Sequence, residues 1–281
     1  MPATPLGPVP GLGYSNPVRG HDLVRLSDQT STPDRATIAE EVPVAFVYNT
    51  DSFVVVMASP SDLEDLGVGF SLTEGIVDRP TDVGDVSIVR HSKGIELQMT
   101  IPPEAFARLG NRRRALDTRT GCGICGIEAL DEVLRTPPAV QSALRLTHDA
   151  LWKAAAELAS MQPVNNETRS VHAAAFADAD GALVVVREDV GRHNALDKVI
   201  GSMARAKVDG ASGSLVVTSR ASYELVQKTA VAGVAVLAAV SRPTSLAIQL
   251  ADQAGITLVG LLRGRTANVY SHSERIFADA H

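Results

Sequence analysis

Apolar residues recur along this chain in two rhythms, and the change falls near its middle. Early on, Val42-Pro43-Val44-Ala45-Phe46-Val47-Tyr48 and Phe53-Val54-Val55-Val56-Met57 flank the turn-rich Asn49-Thr50-Asp51-Ser52, which predicts a β-hairpin. Ser61-Asp62-Leu63-Glu64 has the form of a capping box, with Ser at the N-cap and Glu at N3. It opens a predicted helix that runs to about Glu74 and stops at Gly75. Ile95-Glu96-Leu97-Gln98-Met99-Thr100-Ile101 alternates cleanly and predicts a half-buried strand. Residues 110–126 show no apolar periodicity and are expected to form a long loop. Beyond it Ile127, Leu130, Val133 and Leu134 share one helical face, and Pro137-Pro138 ends that helix. A further helix is predicted from His148 to Met161, leading into a polar loop over 162–170.

The second half repeats a short apolar run, a polar loop and a helical pattern. Residues 182–186, 215–217, 234–240 and 256–262 read as buried strands. The first is followed by the loop 187–193 and a helix expected to be capped by Asn194, with Leu196, Val199, Ile200 and Met203 on one face. The next two are followed by loops 218–222 and 241–245, each opening a helix, and the last by Arg263-Gly264-Arg265. Strands alternating with helices predict βαβ units, a parallel sheet and the α/β class. In such a sheet ligands bind beyond the carboxyl ends of the strands. The loops expected there carry Arg187, Arg192, His193, Arg220, Arg242, Arg263 and Arg265.

Charge sharpens this picture. The 281 residues carry a formal net charge of -6, which argues against general nucleic-acid binding, so an anion site has to come from local clustering of arginine. Nothing resembles a membrane span. The Pro/Gly-rich residues 1–20 lack the basic-then-apolar layout of a signal peptide, so a cytoplasmic location is expected. The expected organisation is a flexible tail over 1–35, a smaller β-rich lobe over 36–109, a mobile loop over 110–126 and an α/β cofactor-binding core over 127–281.

That loop holds the only two cysteines, in Gly121-Cys122-Gly123-Ile124-Cys125-Gly126. A zinc site needs further ligands. No second CxxC exists, and although His172 suggests the H-x-E…P-C-x-x-C deaminase pattern, Ala174 stands where its glutamate belongs and Gly121 where its proline does. No structural metal is therefore expected. A thioredoxin-like dithiol follows an early strand of a small domain, whereas this pair follows a long mid-chain loop. A sulfur carrier needs a thiolate of lowered pKa, and Arg112-Arg113-Arg114, Arg119 and a following helix N-terminus supply the means.

In Arg187-Glu188-Asp189-Val190-Gly191-Arg192-His193-Asn194, Arg192 and His193 precede a predicted helix whose positive end repels them unless an anion binds. This points to a phosphate-bearing ligand. Glu188 and Asp189 fit either a solvated turn with internal arginine pairs or a site, and His172 fits a structural histidine as well as a ligand contact.

Gly121–Glu128, the block Arg187–Lys198 and Ser219–Lys228 closely resemble the formate dehydrogenase accessory sulfurtransferase family, FdhD; Glu41-Val42-Pro43-Val44, Gly69–Gly75 and Asn268-Val269-Tyr270 fit the same pattern. The resemblance implies a cytidine-deaminase-like three-layer α/β/α core. It implies that sulfur comes from a cysteine desulfurase as a cysteine persulfide on Cys122, with Cys125 as helper, and goes to the molybdenum cofactor in its bis-guanine-dinucleotide form, Mo-bis(molybdopterin guanine dinucleotide), for formate dehydrogenase. Leu261, Leu262, Arg263, Gly264, Arg265 and Thr266 match the family's cofactor-binding segment. With Arg192, His193, Arg220 and His172 they form the expected binding set, guanine nucleotide being a mimic of the substrate. The family suggests a homodimer. A departure from the family pattern at residues 165–170 leaves the role of that loop open. The competing class is a chaperone that binds the cofactor and docks the dehydrogenase without moving sulfur.

Overall fold

The computed structural model describes residues 16–117 and 136–278. Its first feature corrects the expected tail. Strands β1 (Val18–Leu26) and β2 (Ser31–Ala39) form an antiparallel ribbon within residues 1–35 and just beyond. Cross-strand pairs such as Arg25–Asp34 (2.6 Å) and Arg19–Glu40 (2.8 Å) hold it. Most of β1 is exposed, so no alternation marks it in the sequence.

The hairpin of β3 (Val42–Tyr48) and β4 (Asp51–Ala58) forms as expected. Strand β6 (Gly94–Met99) lies parallel to β3, and β5 (Ser87–His91) pairs outside it, giving the order β4-β3-β6-β5. Alternate residues Val42, Val44, Phe46 and Tyr48 are buried against Leu63 and Leu66 of helix α1 (Leu63–Thr73) and Ala105 and Leu109 of α2 (Pro103–Asp117). Helix α2 takes in the first residues of the expected 110–126 loop. Its sequence there is rich in arginine, alanine and leucine, which favour helix without needing an apolar stripe. The capping box does not form. Asp62, at φ 51°, is the N-cap with no side-chain cap bond, while Glu64 is drawn to Arg205.

The second sheet has the order β13-β12-β11-β10-β8-β9. Strands β10 (Gly213–Val217), β11 (Val236–Ala239) and β12 (Thr257–Arg263) are parallel, as expected. The run at 182–186 becomes β9 (Leu183–Asp189), an edge strand rather than part of a wholly parallel sheet. Between it and β10 lies β8 (His172–Asp178), antiparallel to both and unanticipated. Alanine has little preference for strands, yet Ala173 to Ala177 are buried on both faces of the sheet. Strand β13 (Thr266–Ser271) returns antiparallel to β12, and two short strands, β7 (Leu146–Thr147) and β14 (Ile276–Phe277), pair with each other.

Period-two alternation divides the core. Leu215, Val217, Leu237, Ala239 and Leu258 face helices α5 (Arg192–Ala206), α6 (Tyr223–Val231) and α7 (Ser245–Ala254). Val216, Val236, Ala238 and Val259 face Leu151, Ala154 and Leu158 of α3 (His148–Ser160). Helices thus cover both faces of a mixed sheet. The short α4 (Pro163–Thr168) follows α3.

The two sheets are joined by α1 crossing α5. A methyl group on Gly69 would lie 1.8 Å from the Asp197 carbonyl oxygen, and one on Gly201 would lie 1.9 Å from that of Asp65, so the backbones touch as only glycine allows. Asp65 accepts from Arg187 (2.7 Å) and Arg205 (2.6 Å) across the same crossing.

Candidate functional site

Because β9 runs in the same direction as β10, the carboxyl ends of β9, β10, β11 and β12 share one edge with the first residue of β8. Hydrogen bonds knit this rim. Thr218 N–H donates to Ala173 O (3.0 Å), Val240 N–H to Val217 O (3.0 Å), Thr244 N–H to Ala221 O (3.1 Å) and Leu261 N–H to Ser241 O (3.1 Å). Helices α5, α6 and α7 each begin at it, so three positive helix ends converge on one strip.

His172 opens β8 half-buried; burial first, then the Arg192 charge, hold its pKa below the ordinary histidine value. Arg192 and His193 form the first turn of α5, and Gly191 is its N-cap. The Arg192 Nε is buried with no hydrogen-bond partner, and buried donors are ordinarily satisfied. His193 Nε2 lies 2.7 Å from Glu224 Oε2 and 3.5 Å from Ser222 Oγ. Burial, then Arg192 and Lys228, push its pKa down to about 4. Arg220 and Arg242 are exposed on the loops after β10 and β11.

The segment Leu261–Thr266 leaves β12 through a bulge. Leu261 has φ 55°, a strained conformation for a leucine. The Leu262 side chain is in the core, so that residue offers a ligand only its backbone. Arg263 is exposed, with Nε donating to Val240 O (3.1 Å), and Gly264 turns the chain at φ 56°. Arg265 is tied to Asp149 (2.5 Å), and Thr266 Oγ1 donates to Arg263 O (3.1 Å). The structure therefore gathers His172, Arg192, His193, Arg220, Leu261 and Arg263 along one rim. Cys122, Cys125 and the helix expected after them lie outside the described residues.

In the block Arg187–Asn194 two expectations are corrected and one open alternative is decided. Arg187 does not serve the rim, because Asp65 holds it at the junction of the sheets. Asn194 does not cap α5; its Nδ2 donates to Asp189 Oδ1 (3.0 Å) and Met57 O (2.8 Å). Glu188 and Asp189 form no solvated turn with arginine. Glu188 accepts from the backbone N–H groups of Val164 (2.9 Å) and Asn165 (2.8 Å) at the start of α4. Asp189 takes Ser59 N–H (3.0 Å), Gly191 N–H (2.8 Å) and the Lys198 ammonium (2.7 Å).

Beneath the rim lies a polar seam that sequence reasoning missed. Lys228 donates to Asp197 (3.0 Å), Thr73 (2.9 Å) and Glu74 (3.0 Å), and Thr73 Oγ1 donates to Asp197 Oδ1 (2.7 Å). Burial disfavours the Lys228 charge, but Asp197 and Glu74 outweigh it and hold its pKa above the usual lysine range. The available signal was spacing. His193 and Asp197 stand four apart on α5, as do Glu224 and Lys228 on α6, which aligns each pair on one helix face.

The fold and this rim define an α/β protein with a cationic strand-end site, braced from below by a buried ion-pair seam. The sequence model of the FdhD/NarQ family matches residues 39–277, and the chain belongs to that family. It is 53% identical over 266 residues to the sulfur carrier protein FdhD of Xanthomonas campestris pv. campestris, covering 93% of this chain and 95% of the relative. It is 51% identical over 249 residues to that of Cupriavidus necator, covering 89% and 86%. In fold it is similar to the crystal structure of a candidate formate dehydrogenase accessory protein from Desulfotalea psychrophila, with TM-score 0.74 and 24% identity, covering 93% of this chain and all of that one. Among the described residues no helix is long and apolar enough to cross a membrane.

Proposed function

We propose that this protein is a sulfur carrier serving formate dehydrogenase. It takes sulfane sulfur from a cysteine desulfurase as a persulfide on Cys122, assisted by Cys125, and passes it to Mo-bis(molybdopterin guanine dinucleotide) held as substrate at the strand-end rim. The observation that carries the binding half is Arg192, whose buried, unpartnered Nε sits at a helix N-terminus beside His172. A nucleotide phosphate supplies the missing acceptor, and Arg220 and Arg263 stand along the same rim for the second of two pyrophosphates. The sulfur half rests on the CxxC pair and on family membership. In the loading step the Cys122 thiolate attacks the terminal sulfur of the donor persulfide, forms a new S–S bond and releases the donor thiolate.

The strand order, with β8 antiparallel inside an otherwise parallel run, supports the cytidine-deaminase-like reading of the core. The protein works in the cytoplasm as a homodimer in this reading. Mass spectrometry after incubation with a cysteine desulfurase and cysteine is the test. Wild type gains one sulfur and Cys122→Ala does not; equal sulfur on the variant removes the carrier role. If a variant lacking both thiols still activates the dehydrogenase, the protein is a cofactor-binding chaperone instead. Arg192→Ala and Arg263→Ala are expected to weaken GDP, and unchanged affinity would remove the rim as the binding site.

A further inference from the structure

The rim contains one side chain whose chemistry is set by its neighbours rather than by its type. His193 approaches the Glu224 carboxylate through Nε2 at 2.7 Å. A carboxylate only accepts, so the proton is on Nε2. The other nitrogen, Nδ1, has no partner among the described residues. The side chain is 32% exposed. The groups facing the ring come from several elements: Arg192 on its own helix, Glu224 and Lys228 on α6, Glu74 just after α1 and His172 on β8. Burial, Arg192, Lys228 and His172 favour the neutral ring; Glu74, and by its direct contact the Glu224 carboxylate, favour the charged one, and burial together with the cations prevails. A neutral imidazole with Nε2–H committed to Glu224 presents a lone pair at Nδ1. That atom repels phosphate oxygen and accepts from N–H or O–H.

We propose that His193 is a specificity-determining residue of the rim, accepting a hydrogen bond at Nδ1 from a base N–H or ribose O–H of the bound nucleotide, with Glu224 as the positioning residue that fixes its tautomer. This replaces the expectation that His193 and Arg192 act together on phosphate. They divide the work: the guanidinium takes the anion and the imidazole reads a donor beside it. Specificity of this kind is strong because a ligand lacking the donor leaves the acceptor unpaired.

The inference rests on the proposed nucleotide site, and calorimetric titration with GDP and with pyrophosphate separates the two. His193→Ala is expected to weaken GDP roughly tenfold and leave pyrophosphate unchanged, which also reports an intact fold. His193→Asn, which keeps an acceptor near the Nδ1 position, retains most of the GDP affinity. Wild-type affinity for GDP falls on acidification as the lone pair is lost, whereas a phosphate contact would strengthen. The arms 2′-deoxy-GDP and IDP test the ribose 2′-OH and the base amino group as the donor, since an analogue lacking the donor binds wild type and His193→Ala alike; if both analogues still distinguish the two proteins, the donor is the base N1–H or the ribose 3′-OH. Equal losses for pyrophosphate and GDP, or an imidazolium seen by NMR at neutral pH, overturn the assignment. If wild type binds GDP and His193→Ala binds it equally, only this inference falls. If wild type binds no GDP, the proposed site falls and takes the inference with it.

Discussion

The Lys198 ammonium lies 2.7 Å from the Asp189 carboxylate, and neither side chain reaches solvent. The pair is clasped from the other sheet: Ser59 gives its N–H to Asp189 (3.0 Å) and its carbonyl to Lys198 (3.1 Å). It therefore fixes the end of β9 against the end of β4 and sets the position of the first turn of α5. Removing one member strands a buried charge, at a cost of about 3–5 kcal/mol. Lys198→Met is expected to lower the urea midpoint accordingly, and a loss under about 1 kcal/mol would show that Asp189 is satisfied without it.

The same logic gives Lys228→Met a pH signature. Burial pushes the Asp197 carboxyl up, and Lys228 is the main force holding it down. Without the ammonium, the folded protein binds a proton there that the unfolded chain does not. Stability of the variant relative to wild type then falls as pH rises. The double variant Lys228→Met/Asp197→Asn recovers much of the loss. A deficit independent of pH would mean that Asp197 is relieved by another route.

At the crossing of α1 and α5 there is no room for a side chain. Gly201→Ala would set a methyl 1.9 Å from a backbone carbonyl oxygen, which forces the helices apart. A loss of about 3 kcal/mol, at the upper end for overpacking, is expected in thermal unfolding, and a neutral result would show that the crossing yields readily.

His193 and His172 make stability depend on pH in one direction. Both pKa values lie below the ordinary 6.5, His193 at about 4. Between these values the unfolded chain binds protons that the folded protein refuses. The stabilisation is thus present above about 6.5 and lost as pH falls toward 4. His193→Asn should lose less stability than wild type between about pH 7 and about pH 4.5. Identical losses in urea melts would mean that His193 is protonated in the folded state.

Cutting the tie between sheets offers a separate test. Asp65 holds both Arg187 and Arg205. Asp65→Asn is expected to cost about 2–3 kcal/mol, since charged hydrogen bonds are lost at a nearly buried carboxylate. Unchanged stability would assign the junction to the glycine contact alone.

Periodicity by itself determined the hairpin of β3 and β4, the α3 helix, and the βα order of the second half, because each buries one regular face and leaves that period in the sequence. It also placed Arg192, His193, Arg220 and Arg263 beyond strand ends. That placement holds despite the insertion of β8, since two antiparallel steps restore the strand direction, except that Arg263 is the last residue of β12 rather than beyond it. Tertiary structure alone decided the features that depend on neighbours distant in the chain. Alanine-rich β8 is a strand because layers close on both sides of it, and the β1–β2 ribbon, whose first strand is almost wholly exposed, leaves no alternation to read. Glu64 and Asn194 abandon their local caps for Arg205 and for Asp189 with Met57. Arg187 looks like a ligand residue until Asp65 claims it. The tautomer of His193 depends on Glu224, thirty-one positions along the chain. A hydrogen-bonding side chain takes the best partner its fold supplies, and a sequence states only which side chains are present.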